Sequence, residues 1–197
     1  LGFIGPVVSF ATIALAIAVQ PGFSWSDNAL SNLGIWFRTD LGNYQLVSAI
    51  FFNSGLIISG LCILIFILSL VKQMRDLPSK LTFLIFAGSA ILLIGIGIFS
   101  EDFSYMHYWT AVPFFLSIPI ALGLSGLVWL RFAEIRSLAV ISILLTLGYL
   151  VFMFQQWIEL SIAVFEILAS LVGMGWLWLI DYMHCRGKLA VIQSSVE

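Results

Sequence analysis

Charged side chains are scarce in this 197-residue sequence, where Asp, Glu, Lys and Arg together make up 9%. An ordinary soluble domain carries about a quarter. The eight Lys and Arg residues form no dense basic patch, so a nucleic-acid partner is excluded on composition. The two cysteines, Cys62 and Cys185, lie far apart with no C-x-x-C spacing. Disulfide, thiol-redox and structural-zinc readings therefore lack support. Two histidines, His107 and His184, are the whole stock of imidazole, and they fall on opposite sides of the topology derived below. That excludes a bis-histidine haem. No lysine stands within an apolar run, which excludes a retinal-type Schiff base, and no G-x-S-x-G nucleophile motif is present.

What the chain has instead is apolar length. Hydrophobic residues make up 61%, mean hydropathy is +1.12, and runs near the ~18 residues needed to cross hydrocarbon recur throughout. This predicts an all-α, polytopic transmembrane bundle of six helices, one domain over residues 1–197. The spans are Leu1–Val19, Leu46–Val71, Leu81–Phe99, Trp109–Phe132, Leu138–Phe154 and Ile158–Ile180, with 181–197 as a tail. The first run resembles a signal peptide in length, but it lacks a basic n-region, so it is read as a helix.

The connections differ in charge. Lys72, Arg75, Lys80, Arg131, Arg136, Arg186 and Lys188 fall on one side, and Arg38 alone on the other. The positive-inside rule then places both termini in the cytoplasm and the protein in the cytoplasmic membrane. Trp25, Trp36, Trp109 and Trp157 mark the outer boundary and Trp176 and Trp178 the inner one, as an interfacial aromatic belt would.

The longest connection, Gln20–Gln45, lies outside. Pro21-Gly22 ends the first helix, Ser26 or Asp27 can cap a short helix, and Gly34 can close it. Leu30, Leu33 and Trp36 give that short interfacial helix one apolar side. It either lies on the membrane surface or folds over the bundle as a lid. Gly55, Gly60, Gly88, Gly95, Gly97, Gly123 and Gly126 allow close helix approach. Pro113 and Pro119 free backbone carbonyls in the fourth span, which marks either a cavity or a carbonyl satisfied by a neighbour.

Ionisable groups within spans are costly and usually face the bundle interior. Glu166 lies seven residues after Glu159, on the same helix face and about 10 Å deeper. Asn53, eight residues past Gln45, sits about 12 Å below the same surface, and Ser117, ten past His107, about 15 Å below. Above them stand Asp27, Asp40, Glu101, Asp102 and His107. Asp27, Asn53, Glu101, Asp102, His107, Ser117, Glu159 and Glu166 thus outline an outward-facing polar pocket. Each has a plainer reading: Glu166 as a neutral carboxylic acid tying two helices, Glu101 and Asp102 as a solvated turn, His107 as an interfacial hydrogen-bonding residue.

Several of these residues fall in short motifs. Pro21-Gly22-Phe23-Ser24 through Asp27, with Leu30-Ser31-Asn32-Leu33-Gly34, resembles the first outer loop of the DUF998 family of small membrane proteins. Phe52-Asn53-Ser54-Gly55-Leu56 resembles that family's second span. Gly97-Ile98-Phe99 with Glu101-Asp102 and His107 resembles its third motif, and Phe165-Glu166 with Trp176 and Trp178 its closing span. The resemblance implies a six-span bundle and no established activity. The family pattern also places an arginine after the glutamate, where this chain has Ile167; an ion-pair role for Glu166 loses that partner here.

Three functions fit these residues. The first is binding of a membrane lipid or other small amphiphile in the outer pocket. The second is an intramembrane lipid-modifying enzyme, with His107 and carboxylates holding a metal or activating water; an oxygen-rich set suits Mg²⁺, Ca²⁺ or Mn²⁺ better than zinc. The third is a small-solute or proton transporter relaying through Glu166. Against it, polar residues do not continue to the cytoplasmic side, and the halves show no repeat.

Overall fold

The computed structural model describes residues 1–38, 40–154 and 161–193. Glu159, Trp157 and the turn expected around Gln155–Trp157 lie outside the described residues. Among the described residues the chain is all helical: α1 Ile4–Ala18, α2 Gln45–Gln73, α3 Leu77–Ile98, α4 Ser104–Trp129, α5 Arg136–Phe154, α6 Ile162–Cys185 and a short α7 Ala190–Gln193. Short 3-10 turns occupy Leu30–Gly34, Glu101–Phe103 and Ala133–Ile135. Helices α2 to α6 are long and apolar enough to cross a membrane; α1 is apolar but has 15 residues, about 22 Å of helix.

Each helix packs mainly on the next in sequence, α1 on α2, α2 on α3, α3 on α4 and α4 on α5. Small residues permit this. A β-carbon at Gly60 would meet the Ala90 carbonyl on α3 at 2.9 Å, and one at Gly126 the Ala139 carbonyl on α5 at 2.8 Å. Backbones this close supply the van der Waals contact that holds helices together in lipid, where apolar burial offers no preference. Gly88 has no such role, since its β-carbon would meet nothing within 4 Å.

Hydroxyl groups add ties between α3 and α4. Ser89 and Ser117 are 2.7 Å apart, Ser125 donates to Thr82 (3.0 Å), and Trp129 Nε1 donates to Ser79 (2.9 Å). The expectation that polar groups stop short of the far end is therefore corrected. The ties are neutral hydroxyls, which a search for ionisable residues passes over. One of the two proline-freed carbonyls is also satisfied by a neighbour: Pro119 cannot donate to Phe115 O, and the Tyr149 hydroxyl on α5 donates to it instead (2.9 Å).

Helix boundaries shift several expected positions. α4 begins at Ser104, so His107 lies in its first turns rather than in a loop. α6 runs on to Cys185 and ends where Gly187 takes φ +68°, a left-handed conformation that glycine adopts freely. Asp181 and His184 are thus helical, and Trp176 sits inside the bundle at 1% exposure rather than at the boundary. The tail then folds back, burying Leu189 and Ile192, and Ile192 O accepts from Arg75 N and Asp76 N.

The two ends of the bundle differ. One carries residues 20–38, 40–44 and 100–103 and is called the lid end. The other carries all the lysines and every arginine except Arg38, and is called the basic end. There Asp76 caps α3 by accepting from Ser79 N (2.9 Å) and pairs with Arg131. Partial burial works against the Asp76 carboxylate, but hydrogen bonds from Ser79 and the Arg131 charge outweigh it, so its pKa lies below the ordinary value. A depressed carboxyl stabilises the fold above its unfolded pKa, about 4, and that contribution fades as pH falls through the folded value. Asp76→Asn is therefore expected to lower unfolding stability in detergent at pH 7. The gap to the parent should close as pH drops below about 4; a gap unchanged at pH 2 would contradict the pairing.

Candidate functional site: a lid held by its backbone

Residues 28–36 fold over the bundle rather than lying on the membrane surface. Asn28, Ala29, Leu30, Ser31, Leu33 and Gly34 are buried, Leu33 completely, against α1, α2 and α6. Backbone groups of this lid meet side chains from α2, α6 and the 100–103 turn. Glu166 Oε2 on α6 accepts from Leu30 N (2.6 Å). That N–H opens the 3-10 turn and has no partner within it, so Glu166 acts as a cap supplied from another helix. From α2, Ser48 donates to Leu33 O (3.1 Å), Asn53 to Gly34 O (2.8 Å) and Gln45 to Ile35 O (2.5 Å). Asp102 accepts from Trp36 N (2.9 Å). Glu101 takes the lid's side chains, accepting from Asn32 Nδ2 (2.5 Å) and Ser31 Oγ (3.5 Å). Nearer the start of α6, Ala163 N donates to Asn28 O (3.3 Å) and the Ser161 hydroxyl to Trp25 O.

Gly34 is required by this closeness: a β-carbon there would lie 2.5 Å from Asn53 Oδ1 and 2.8 Å from the Phe52 ring. Among the described residues Asn53 Oδ1 is buried without a hydrogen-bond partner, and the Gly34 α-hydrogen points at it, a weak C–H···O contact. The expected cap is different. Ser26 and Asp27 do not start the turn; Asp27 accepts from Ser24 (2.6 Å) and Ser26 (3.0 Å) in an exposed bend. Those hydroxyl bonds hold its carboxyl below the usual range. Asn32 instead accepts from Ala29 N (3.0 Å), closing the turn from within.

Beneath the lid is a cavity of about 40 Å³ lined by Leu30, Ser31, Phe52, His107, Glu166 and Ser170 among others, room for about one or two water molecules. His107 Nδ1 faces Phe99 O at 2.8 Å. A carbonyl only accepts, so Nδ1 carries a proton, and in the neutral ring Nε2 is then an acceptor. A smaller cavity of about 20 Å³ shares Leu93, Phe114 and Ser170 with the first.

Of the candidates read from sequence, Asn53, Glu101, Asp102, His107 and Glu166 come together around the lid and its cavity. Asp27 stands apart in its own bend. Ser117 is deeper, bonded to Ser89 and Phe114 O. Glu159 is outside the described residues. Gln45, Ser48 and Asn32 were missed as functional positions. Gln45, Ser48 and Asn53 fall within an arc of about 140° at 3.6 residues per turn, a polar side at the start of α2 that was there to be read. Among the described residues no three His, Cys, Asp or Glu side chains lie close enough to hold a metal ion.

The family described as "Protein of unknown function (DUF998)" matches residues 3–180, most of the chain. The chain belongs to the DUF998 family. Neither curated proteins nor solved structures yield a match. This DUF998 protein is thus a helical membrane protein whose motif residues Leu30–Gly34, Asn53, Glu101-Asp102, His107 and Glu166 build one lidded end.

Proposed function

We propose that this protein binds a membrane lipid or other small amphiphile at the lid end, with the 28–36 lid opening to admit the polar head. One observation carries this reading. The polar side chains of α2, α6 and the 100–103 turn are committed to the backbone of a single detachable segment, above a cavity walled by apolar residues but ending at Glu166 and His107. Peptide N–H and C=O groups are replaceable partners: a head group with donors and acceptors can substitute for them bond for bond, so opening need not strand buried polar atoms. The apolar walls below accept the first part of a hydrocarbon chain. The separation of basic side chains to the opposite end supports a cytoplasmic-membrane location with both termini inside and the lid outside.

Native mass spectrometry of the purified protein exchanged with total lipid extract tests this. One retained amphiphile per chain is expected, with retention falling about tenfold in Glu166→Gln and His107→Ala, the loss of a contact of roughly 1.4 kcal/mol. Absence of any retained amphiphile, or equal retention in both variants, would overturn it.

A further inference from the structure

We propose that the amphiphile is single-chained with a cationic head, its chain lodged between α5 and α6 and its head at Glu166. This rests on the amphiphile-binding reading above and adds the ligand's charge and its lateral route. α5 and α6 pack lightly on each other and leave a groove of about 380 Å³, within the ~300–1,000 Å³ of small-molecule sites. Its lining is apolar, running from Leu168 to Trp176 on α6, about 12 Å along the helix. Gly148 and Gly175 line it from opposite sides, and a β-carbon at either would meet nothing within 4 Å. The groove therefore faces hydrocarbon as an open slot, and in a bilayer the material that fills such a slot is a hydrocarbon chain.

The slot leads toward the lid. Phe152, which lines it, stacks on Phe165 (ring centroids 5.6 Å, 8°). Phe165 packs against Phe115 (5.6 Å), and Phe115 lines the cavity under the lid. Phe165 is the residue before Glu166, so rotation of these rings joins groove and cavity at the carboxyl. The head's charge follows from what waits there. Among the described residues Glu166 is the only carboxyl lining the cavity, and the neutral His107 ring presents an acceptor nitrogen. Glu101, Asp102 and Asp40 surround the lid, and the one arginine of this end, Arg38, is already paired to Asp40 at 2.6 Å. A phosphate or carboxylate head would meet the Glu166 carboxyl, with the Arg38 guanidinium already paired to Asp40; an ammonium would meet the Glu166 oxygens and, on the neutral ring, His107 Nε2.

The test uses the protein in nanodiscs with two photoactivatable probes, a diazirine-bearing hexadecylamine and the matching hexadecanoic acid. The amine is expected to label α5 and α6 peptides lining the groove at least about tenfold more than the acid. Glu166→Gln should bring the amine down to the acid's level, and Gly175→Leu should block both. Leu171→Trp fills the same slot from its exposed side, so loss of labelling there supports the route even if Gly175→Leu proves unstable. Equal labelling by acid and amine overturns the cationic head, and labelling unaffected by either groove variant overturns the route; amphiphile binding stands in both cases. If neither probe labels the protein and native mass spectrometry finds nothing retained, the amphiphile reading falls with it.

Discussion

Replacing Trp176 with alanine is expected to lower the unfolding free energy by about 3–5 kcal/mol, the cost of emptying a large buried aromatic site. Trp176 ties α6 to α3, α4 and α5 at once. Its ring lies 5.1 Å from Phe86 and 6.0 Å from Phe83, both on α3. It stacks on Trp129 of α4 at 6.1 Å and 10°, and its Nε1 donates to Ser142 on α5 (2.8 Å). α6 makes few other close contacts with α4 or α5. Helices in lipid gain nothing from burying apolar area as such, so lost packing and a lost hydrogen bond are not offset by lipid contact elsewhere. Trp178 provides the control. It is partly exposed and donates to Phe3 O at the edge of the bundle (3.2 Å), so Trp178→Ala should cost about 1 kcal/mol. Reversible unfolding of both variants in mixed micelles decides the point: equal losses would remove Trp176 from its anchoring role.

That tryptophan also shows where sequence reading reaches its limit. Apolar run length revealed six helices, and the spacing of lysine and arginine ordered their ends, because both depend only on position along the chain. A last span that ends at Ile180 puts Trp176 near a boundary. Five further helical residues, up to Cys185, move it inward. The role of Tyr149 was unreadable for a different reason. Its partner is the carbonyl of Phe115, freed by a proline four residues on, and nothing in either segment says which neighbouring helix supplies the donor.

The site divides in the same way. Counting residues down from the surface put Asn53 and Glu166 at similar depths, and the structure brings both under one lid. Depth gives height but not what descends from above. The groups that Glu166, Asp102, Asn53 and Gln45 hold are peptide N–H and C=O groups of Leu30, Trp36, Gly34 and Ile35. Peptide groups leave no residue-type signature. A polar set at one depth reads as an open pocket when the segment filling it presents only backbone.

This arrangement makes Glu166→Ala the most informative change at the lid end. It removes the acceptor of a buried N–H, and an orphaned donor costs about 1–3 kcal/mol. The lost bond falls on one short segment, so the cost should appear as faster amide exchange confined to residues 29–36. At about 1.4 kcal/mol per decade, roughly 10- to 100-fold is expected, with little change in α2 or α3. Glu166→Gln retains a carbonyl oxygen that can still accept from Leu30 N, so its exchange should stay within a few-fold of the parent. Asn53→Ala should accelerate the same residues through Gly34. Combined with Glu166→Ala it should add less than its own effect, because both hold one segment and the second release acts on a lid already loosened. If exchange in 29–36 is unchanged by Glu166→Ala, the buried Leu30 and Leu33 side chains hold the lid alone, and the polar cluster is not its latch.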